Sequence, residues 1–270
     1  MTQAERLTAI AATTLKTSAQ FWFIVAAIGQ WIFVGYILVH YAGPLLSGGL
    51  EAWNASEPGT YIAGDWLGNL AIAVHILLAI VIIGGGPLQL MPPIRARFPA
   101  FHRMLGRVYI PSVIVTSVAG LYTIWMRGTV GDLSLAIGIT IDAILIIAFA
   151  IIALRHAMAR RIAIHRMWAL RLFMVVSAVW FFRVGFMMWM FLTGGAGIDM
   201  ETFTGPFVTT LTFAQYLLPL AILELYLRAR DGGSVAAKLV VSSILVGFTL
   251  LMGIGIFMAT MGMWFPGHGA

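Results

Sequence analysis

Seven apolar runs, each long enough to cross a bilayer, dominate this sequence: Phe21–Tyr41, Leu67–Leu90, Leu105–Met126, Leu133–Leu154, Trp168–Thr193, Phe207–Leu227 and Val235–Met261. A helix needs about twenty apolar residues to span the hydrocarbon core. Inside that core every backbone N–H and C=O must find a partner within the protein, so runs of this kind fold as helices. The expected fold is all-α, a polytopic membrane helix bundle of about seven transmembrane helices. Composition agrees. Of 270 residues, 61% are hydrophobic and 10% charged, whereas a soluble domain carries roughly 25% charged residues. Residues 1–270 read as one integral membrane domain with a core bundle at about 65–190.

The charges between the runs set the expected orientation. The loop after the first run holds Glu51, Glu57 and Asp65, and the next holds Arg95, Arg97, Arg103 and Arg107. Arg155, Arg160, Arg161, Arg166 and Arg171 surround the connection from the fourth run to the fifth, and Arg228, Arg230 and Lys238 that from the sixth to the seventh. Arg6 and Lys16 put the N-terminus on the basic side. Of sixteen Lys and Arg residues, all but Arg127 and Arg183 fall there, leaving fourteen. Such a bias marks the cytoplasmic face. The expectation is a multi-pass protein of the inner (cytoplasmic) membrane, N-terminus in and C-terminus out near His268.

Several partners drop out. The net charge of +6 comes from short loop clusters, so it calls for a lipid bilayer and no nucleic acid. Cysteine is absent, which removes disulfides, iron–sulfur clusters and thiol catalysis. The first apolar run is too long and aromatic for a cleavable signal core and reads as a retained crossing.

Three ionisable residues lie well inside the runs. His75 lies about two turns into the second, Asp142 near the middle of the fourth, and Arg183 in the outer half of the fifth. A charge facing lipid costs at least ~2.5–3.5 kcal/mol, so each should face the interior and find a partner. We expect His75, Asp142 and Arg183 to form one polar site, with Asp142 and Arg183 as a pair. That site would serve a quinone head group or a proton path. The bland alternative is an ion pair that only fixes helix packing. Small residues beside His75 (Gly68, Ala71, Ala79, Gly86) leave room for a macrocycle or for close helix packing. The Gly84-Gly85-Gly86-Pro87 run fits a pocket or a helix end.

His102 and His165 each open a crossing from the basic side, in the repeated tripeptide His-Arg-Met. Gly106 follows His102 by one turn and Tyr109 by two, leaving space beside the imidazole. Two histidines from two helices are the usual axial ligands by which a bundle holds b-type haem. Arg103, Arg107, Arg166 and Arg171 would then suit the porphyrin carboxylates. The same His-Arg pairs could instead bind lipid phosphate and set helix depth. The methionines Met187, Met188, Met190, Met258, Met261 and Met263 offer thioethers for Cu(I) or plain packing.

His75, Gly86-Pro87-Leu88-Gln89, Arg95 and His102-Arg103-Met104-Leu105-Gly106-Arg107-Val108-Tyr109 resemble a family of predicted bacterial multi-pass membrane proteins catalogued as a domain of unknown function. His165-Arg166-Met167-Trp168, Arg171 and Arg183 resemble its second block. The His-Arg-x-x-Gly-Arg-x-Tyr element is the specific part, and the resemblance covers roughly residues 65–190. It supports the choice of site residues more than any activity. A looser likeness is to the ascorbate-reducing b-type cytochromes, which hold two haems with four histidines. His75 has no second membrane histidine at its level, and this departure speaks against a second haem.

The leading expectation is a membrane redox protein that moves electrons between a quinone and haem b, with His102 and His165 as iron ligands. His75, Asp142 and Arg183 would be the catalytic group. One alternative is a proton-coupled secondary transporter using Asp142 and Arg183. Another is a non-catalytic subunit or sensor.

Overall fold

A computed structural model describes residues 2–265 apart from 56, 58 and 129. Its α-helices are α1 Gln3–Ile37, α2 Gly43–Gly48, α3 Trp66–Leu90, α4 Pro92–Arg97, α5 Pro99–Arg127, α6 Leu133–Met158, α7 Ile162–Val176, α8 Ala178–Thr193, α9 Pro206–Gly232 and α10 Val235–Ala259. Six segments are long and apolar enough to cross a membrane, and α7 with α8 passes the same test as a pair bent by 50°.

Contacts at its two ends make the bent pair a single crossing. At the start of α7, His165 Nδ1 donates to the carbonyl of Ala153 near the end of α6, at 2.9 Å. Beyond the middle of α8, Phe186 packs on Phe203 with ring centroids 5.4 Å apart. The Phe203 carbonyl in turn lies against Gly131, just before α6 begins. The pair therefore runs the whole length of α6 and joins the six as a seventh candidate crossing.

Helix starts follow local chemistry. Asp65 accepts from the Gly68 amide, Asp132 from those of Ser134 and Leu135, and Ser234 from that of Ala237. Each satisfies a donor that the first turn leaves without a partner. Proline opens α5 and α9, where a missing N–H costs nothing. Three starts, those of α1, α5 and α7, lie well ahead of their apolar runs, the last at Ile162 before Trp168. Thr2 and Glu5 form a capping box, so α1 begins at Gln3. Pro99 begins α5, which puts His102, Arg103 and Arg107 on helical turns and not in a loop.

The fifth crossing was expected to be continuous from Trp168 to Thr193. It breaks at Ser177, whose amide still bonds the Phe173 carbonyl. The Ser177 hydroxyl accepts from Gln30 Nε2 on α1 at 2.8 Å, so the break is tied to a neighbour. The glycine run on α3 serves packing. Leu105 covers Gly85, and Tyr109 and Phe173 cover Gly86. The Gly84 carbonyl accepts from the Trp31 indole at 3.2 Å. Met187 and Met263 pack on the cluster built around Trp53, Trp180 and Trp264.

Candidate functional site

A cavity of about 170 Å³ lies inside the bundle, walled by α1, α3, α5, α6 and the α7–α8 break. His75, Asp142 and Arg183 all line it. Three helices that are far apart in sequence thus bring the three intramembrane polar residues to one chamber.

Each is held differently. The His75 ring is partly buried in the bundle, and its Nδ1 bonds the Thr116 carbonyl of α5 at 3.0 Å. A carbonyl only accepts, so Nδ1 carries the proton and Nε2 is left as an acceptor. Space for the ring comes from Gly120, since a Cβ there would stand 3.0 Å from both Cε1 and Nδ1. Of the small residues expected to give it room, Gly68 faces Asp65 and Arg127 instead. Asp142 is 4% exposed and its Oδ1 has no hydrogen-bond partner. The Arg183 guanidinium lies over the Phe33 ring, 5.4 Å from its centroid, and Nη1 donates to the Val179 carbonyl at 3.4 Å.

The expected ion pair is not formed. Among the described residues the ion pairs are Arg127–Asp65, Arg171–Glu224 and Arg230–Asp231. Asp142 and Arg183 share the chamber without touching. A cation–π contact partly replaces the missing carboxylate, an interaction that strengthens where water is excluded.

Two further buried atoms on the chamber's lining residues lack partners, Thr116 Oγ1 and Trp180 Nε1. A buried polar atom left unpaired costs roughly 1–3 kcal/mol. A single water needs only about 10–15 Å³ of such volume. The chamber therefore has space for a polar guest, and residues with unmet hydrogen bonds are among those that line it. It can offer that guest an acceptor at His75, a carboxyl at Asp142, a fixed cation at Arg183 and the aromatic faces of Phe33, Tyr36 and Trp180.

The basic end looks different. His102 and His165 are within electrostatic reach of one another, with Arg95 and Arg103 nearby. With His165 Nδ1 on Ala153, its Nε2 is free to ligate, the usual arrangement of a metal-binding imidazole. His102 Nδ1 is buried and unpartnered. The expected room beside His102 is taken, because Gln89 lies against Gly106 and donates to the His102 carbonyl at 3.1 Å. Tyr109 is buried against Gly86. Arg171 is not free for a porphyrin carboxylate, since it pairs with Glu224 at 2.7 Å and lies over Trp168. Arg103, Arg107 and Arg166 remain exposed.

The acidic end holds two arrangements that sequence reasoning missed. Arg127 donates to Asp65 at 2.8 Å, to the Thr60 carbonyl at 2.9 Å and to Asn69 at 2.5 Å. The Gly68 amide and the Arg127 guanidinium hold the Asp65 carboxyl below its usual range. Tyr41, which lines the chamber, donates to Glu57 at 2.8 Å, and its carbonyl accepts from the fully buried Trp53 at 2.7 Å. The one signal was that Arg127 breaks the basic-side rule opposite an acidic loop.

Residues 72–223 match the model of a family described as a predicted membrane protein, DUF2306. That stretch is more than half of the 270 residues. The chain belongs to this family. No curated protein and no solved structure matches it. The family stretch carries His75, Thr116, Gly120, Asp142, Trp180 and Arg183, together with His102 and His165. The chamber wall from α1 and the turn after it, with Phe33, Tyr36 and Tyr41, lies outside it.

Proposed function

We propose that this DUF2306 protein is a membrane redox protein whose chamber receives a quinone head group. The observation that carries this reading is the convergence of His75, Asp142 and Arg183 on one cavity within the bundle. A quinone ring is flat, accepts hydrogen bonds at two carbonyl oxygens, and takes two protons with two electrons to become quinol. Aromatic faces suit the ring. Arg183 would stabilise the anion that forms before protonation is complete, as fixed positive charge does in a water-poor site.

His75 and Asp142 would handle the two protons. An unpaired carboxylate is far costlier to bury than a carboxylic acid, so Asp142 would rest as the acid and serve as donor. In reduction the second proton would come from His75 once its Nε2, an acceptor at rest, has taken one from water, and quinol oxidation would reverse both transfers. The pair His102 and His165 is where a b-type haem would be held, with Gln89 displaced, and it would supply or accept single electrons. The test is quinone binding to the purified protein, read through quenching of Trp180 fluorescence and compared with Trp180→Phe. His75→Ala should weaken binding at least tenfold, and an unchanged affinity would overturn the reading. An absorption spectrum of protein expressed with ample haem tests the second half independently.

A second reading, a proton-coupled secondary transporter, is favoured by one observation. The α7–α8 crossing breaks at Ser177, beside Val176, Val179 and Trp180 of the chamber wall. Discontinuous helices at a mid-membrane site are common in transporters. Uptake of a small solute driven by a pH gradient, lost in Asp142→Asn, would favour this reading over the first.

A further inference from the structure

We infer that Glu57, Tyr41 and Tyr36 form a proton port joining the chamber to the acidic face of the membrane, an inference that rests on the chamber exchanging protons.

The geometry is a short line of one hydrogen bond and one ring contact. Glu57 is exposed on the loop between α2 and α3, and its Oε2 accepts from the Tyr41 hydroxyl at 2.8 Å. Tyr36 approaches the same hydroxyl, its ring edge-on to that of Tyr41 with centroids 6.0 Å apart. Both tyrosines line the chamber, as do His75, Asp142 and Arg183. One exposed carboxylate is thereby bonded to the Tyr41 hydroxyl, and Tyr41 and its ring neighbour Tyr36 both line the space that the acid and base share.

The backbone around Tyr41 is built for this contact. Leu38–Ala42 is a π-helical turn between α1 and α2. Such turns are rare, cost hydrogen-bond geometry, and recur at functional sites. Here the extra residue per turn falls where Tyr41 meets the loop, and the carbonyl of Tyr41 is held by the Trp53 indole. Trp53 is fully buried, so the loop end of the line is anchored, not draped. A carboxylate needed only for solubility would not require this.

The proton balance is simple. A proton leaving the chamber passes from its water to the Tyr36 oxygen as Tyr36 hands its own proton to Tyr41. Tyr41 releases its proton along the existing bond to Glu57, which gives it to bulk water. Inward transfer runs the same steps in reverse, and neither tyrosine need be ionised for longer than the transfer. The titratable and charged groups facing the line are His40 beside Tyr36 on α1, Glu57 on the loop, His75 on α3, Asp142 on α6 and Arg183 on α8. Tyr216 on α9 stands behind Asp142. The basic-face cations Arg95, Arg103 and Arg166 gather around His102 and His165 at the opposite end.

The experiment is a pH jump on the purified protein in lipid nanodiscs, followed through the infrared carboxyl band that Asp142→Asn removes. In the native protein this band should follow the jump. Glu57→Gln and Tyr41→Phe should slow the response at least tenfold while leaving its final amplitude and midpoint unchanged. The unchanged end point separates a blocked route from a damaged chamber, and Tyr36→Phe gives an independent variant should Tyr41→Phe not fold. Native rates in all three variants would overturn the port while leaving the chamber's proton chemistry standing. Absence of any Asp142 carboxyl band in the native protein would overturn the chamber reading itself, and the port with it.

Discussion

Gly120 of α5 lies directly against the His75 imidazole of α3, so close that a Cβ would stand 3.0 Å from Cε1 and Nδ1. The bond from Nδ1 to the Thr116 carbonyl, one turn earlier on α5, depends on that approach. One helix thus supplies both the space for the ring and the acceptor that fixes its tautomer.

The first prediction follows directly. Gly120→Ala should push the ring off Thr116 and cost roughly 1–3 kcal/mol, the usual range for overpacking. Quinone affinity should fall together with stability. Native affinity in a folded Gly120→Ala protein would mean the ring's position is not what recognises the guest.

Asp142 and Arg183 do not form an ion pair, which reverses the expectation of mutual dependence. Asp142→Asn should change stability by no more than about 1 kcal/mol, because no cation is stranded by it. A double-mutant cycle with Arg183→Gln, read by thermal unfolding in detergent, should give a coupling well under the ~3–5 kcal/mol of a broken buried pair. A coupling in that range would show that the two side chains meet in the working protein.

Arg171 is a packing residue in this structure. Its guanidinium is partly exposed, as is Glu224. Arg171→Gln should therefore cost only about 0–1 kcal/mol, as exposed pairs do. Any b-type spectrum should survive it. Loss of that spectrum on a stable Arg171→Gln background would return Arg171 to the cofactor.

The acidic-face loop should respond to pH with a defined sign. Asp65 is held below its ordinary value of 3.8 by the Gly68 amide and the Arg127 guanidinium. A depressed folded-state pKa means stability that is full above the unfolded value and lost as pH falls through the folded one. Hydrogen exchange at Thr60–Asn69 should be protected down to about pH 3.8 and rise below it. Asp65→Asn should expose the segment at neutral pH and flatten the profile.

Orientation is testable with reporters. A reporter fused after Ala270 should be active outside the cytoplasm, whereas one inserted within Arg155–Arg161 should not. Both outcomes rest on the concentration of Lys and Arg on one face. A cytoplasmic C-terminus would contradict the assigned direction of the bundle.

The sequence by itself determined the class of fold, because that depends on summed local properties. Seven apolar runs dictate helices, and alternating loop charges dictate which ends lie together. It also singled out His75, Asp142 and Arg183, since polar groups in an apolar run stand out against a uniform background. Whether those residues meet depends on helix rotation and crossing, which no linear spacing encodes. The Ser177 break shows the limit well: an apolar stretch without proline reads as one helix, and only the Gln30 side chain from another helix marks where it bends. Gly106 shows the converse, because a small residue announces space while the neighbour that fills it, Gln89, belongs to α3. Tertiary structure decided that Asp142 and Arg183 share a chamber without pairing, that Arg127 holds Asp65, and that Tyr41 meets Glu57. These are contacts between residues 16 to 62 positions apart or more, where the physics of packing, and not of local sequence, chooses the partner.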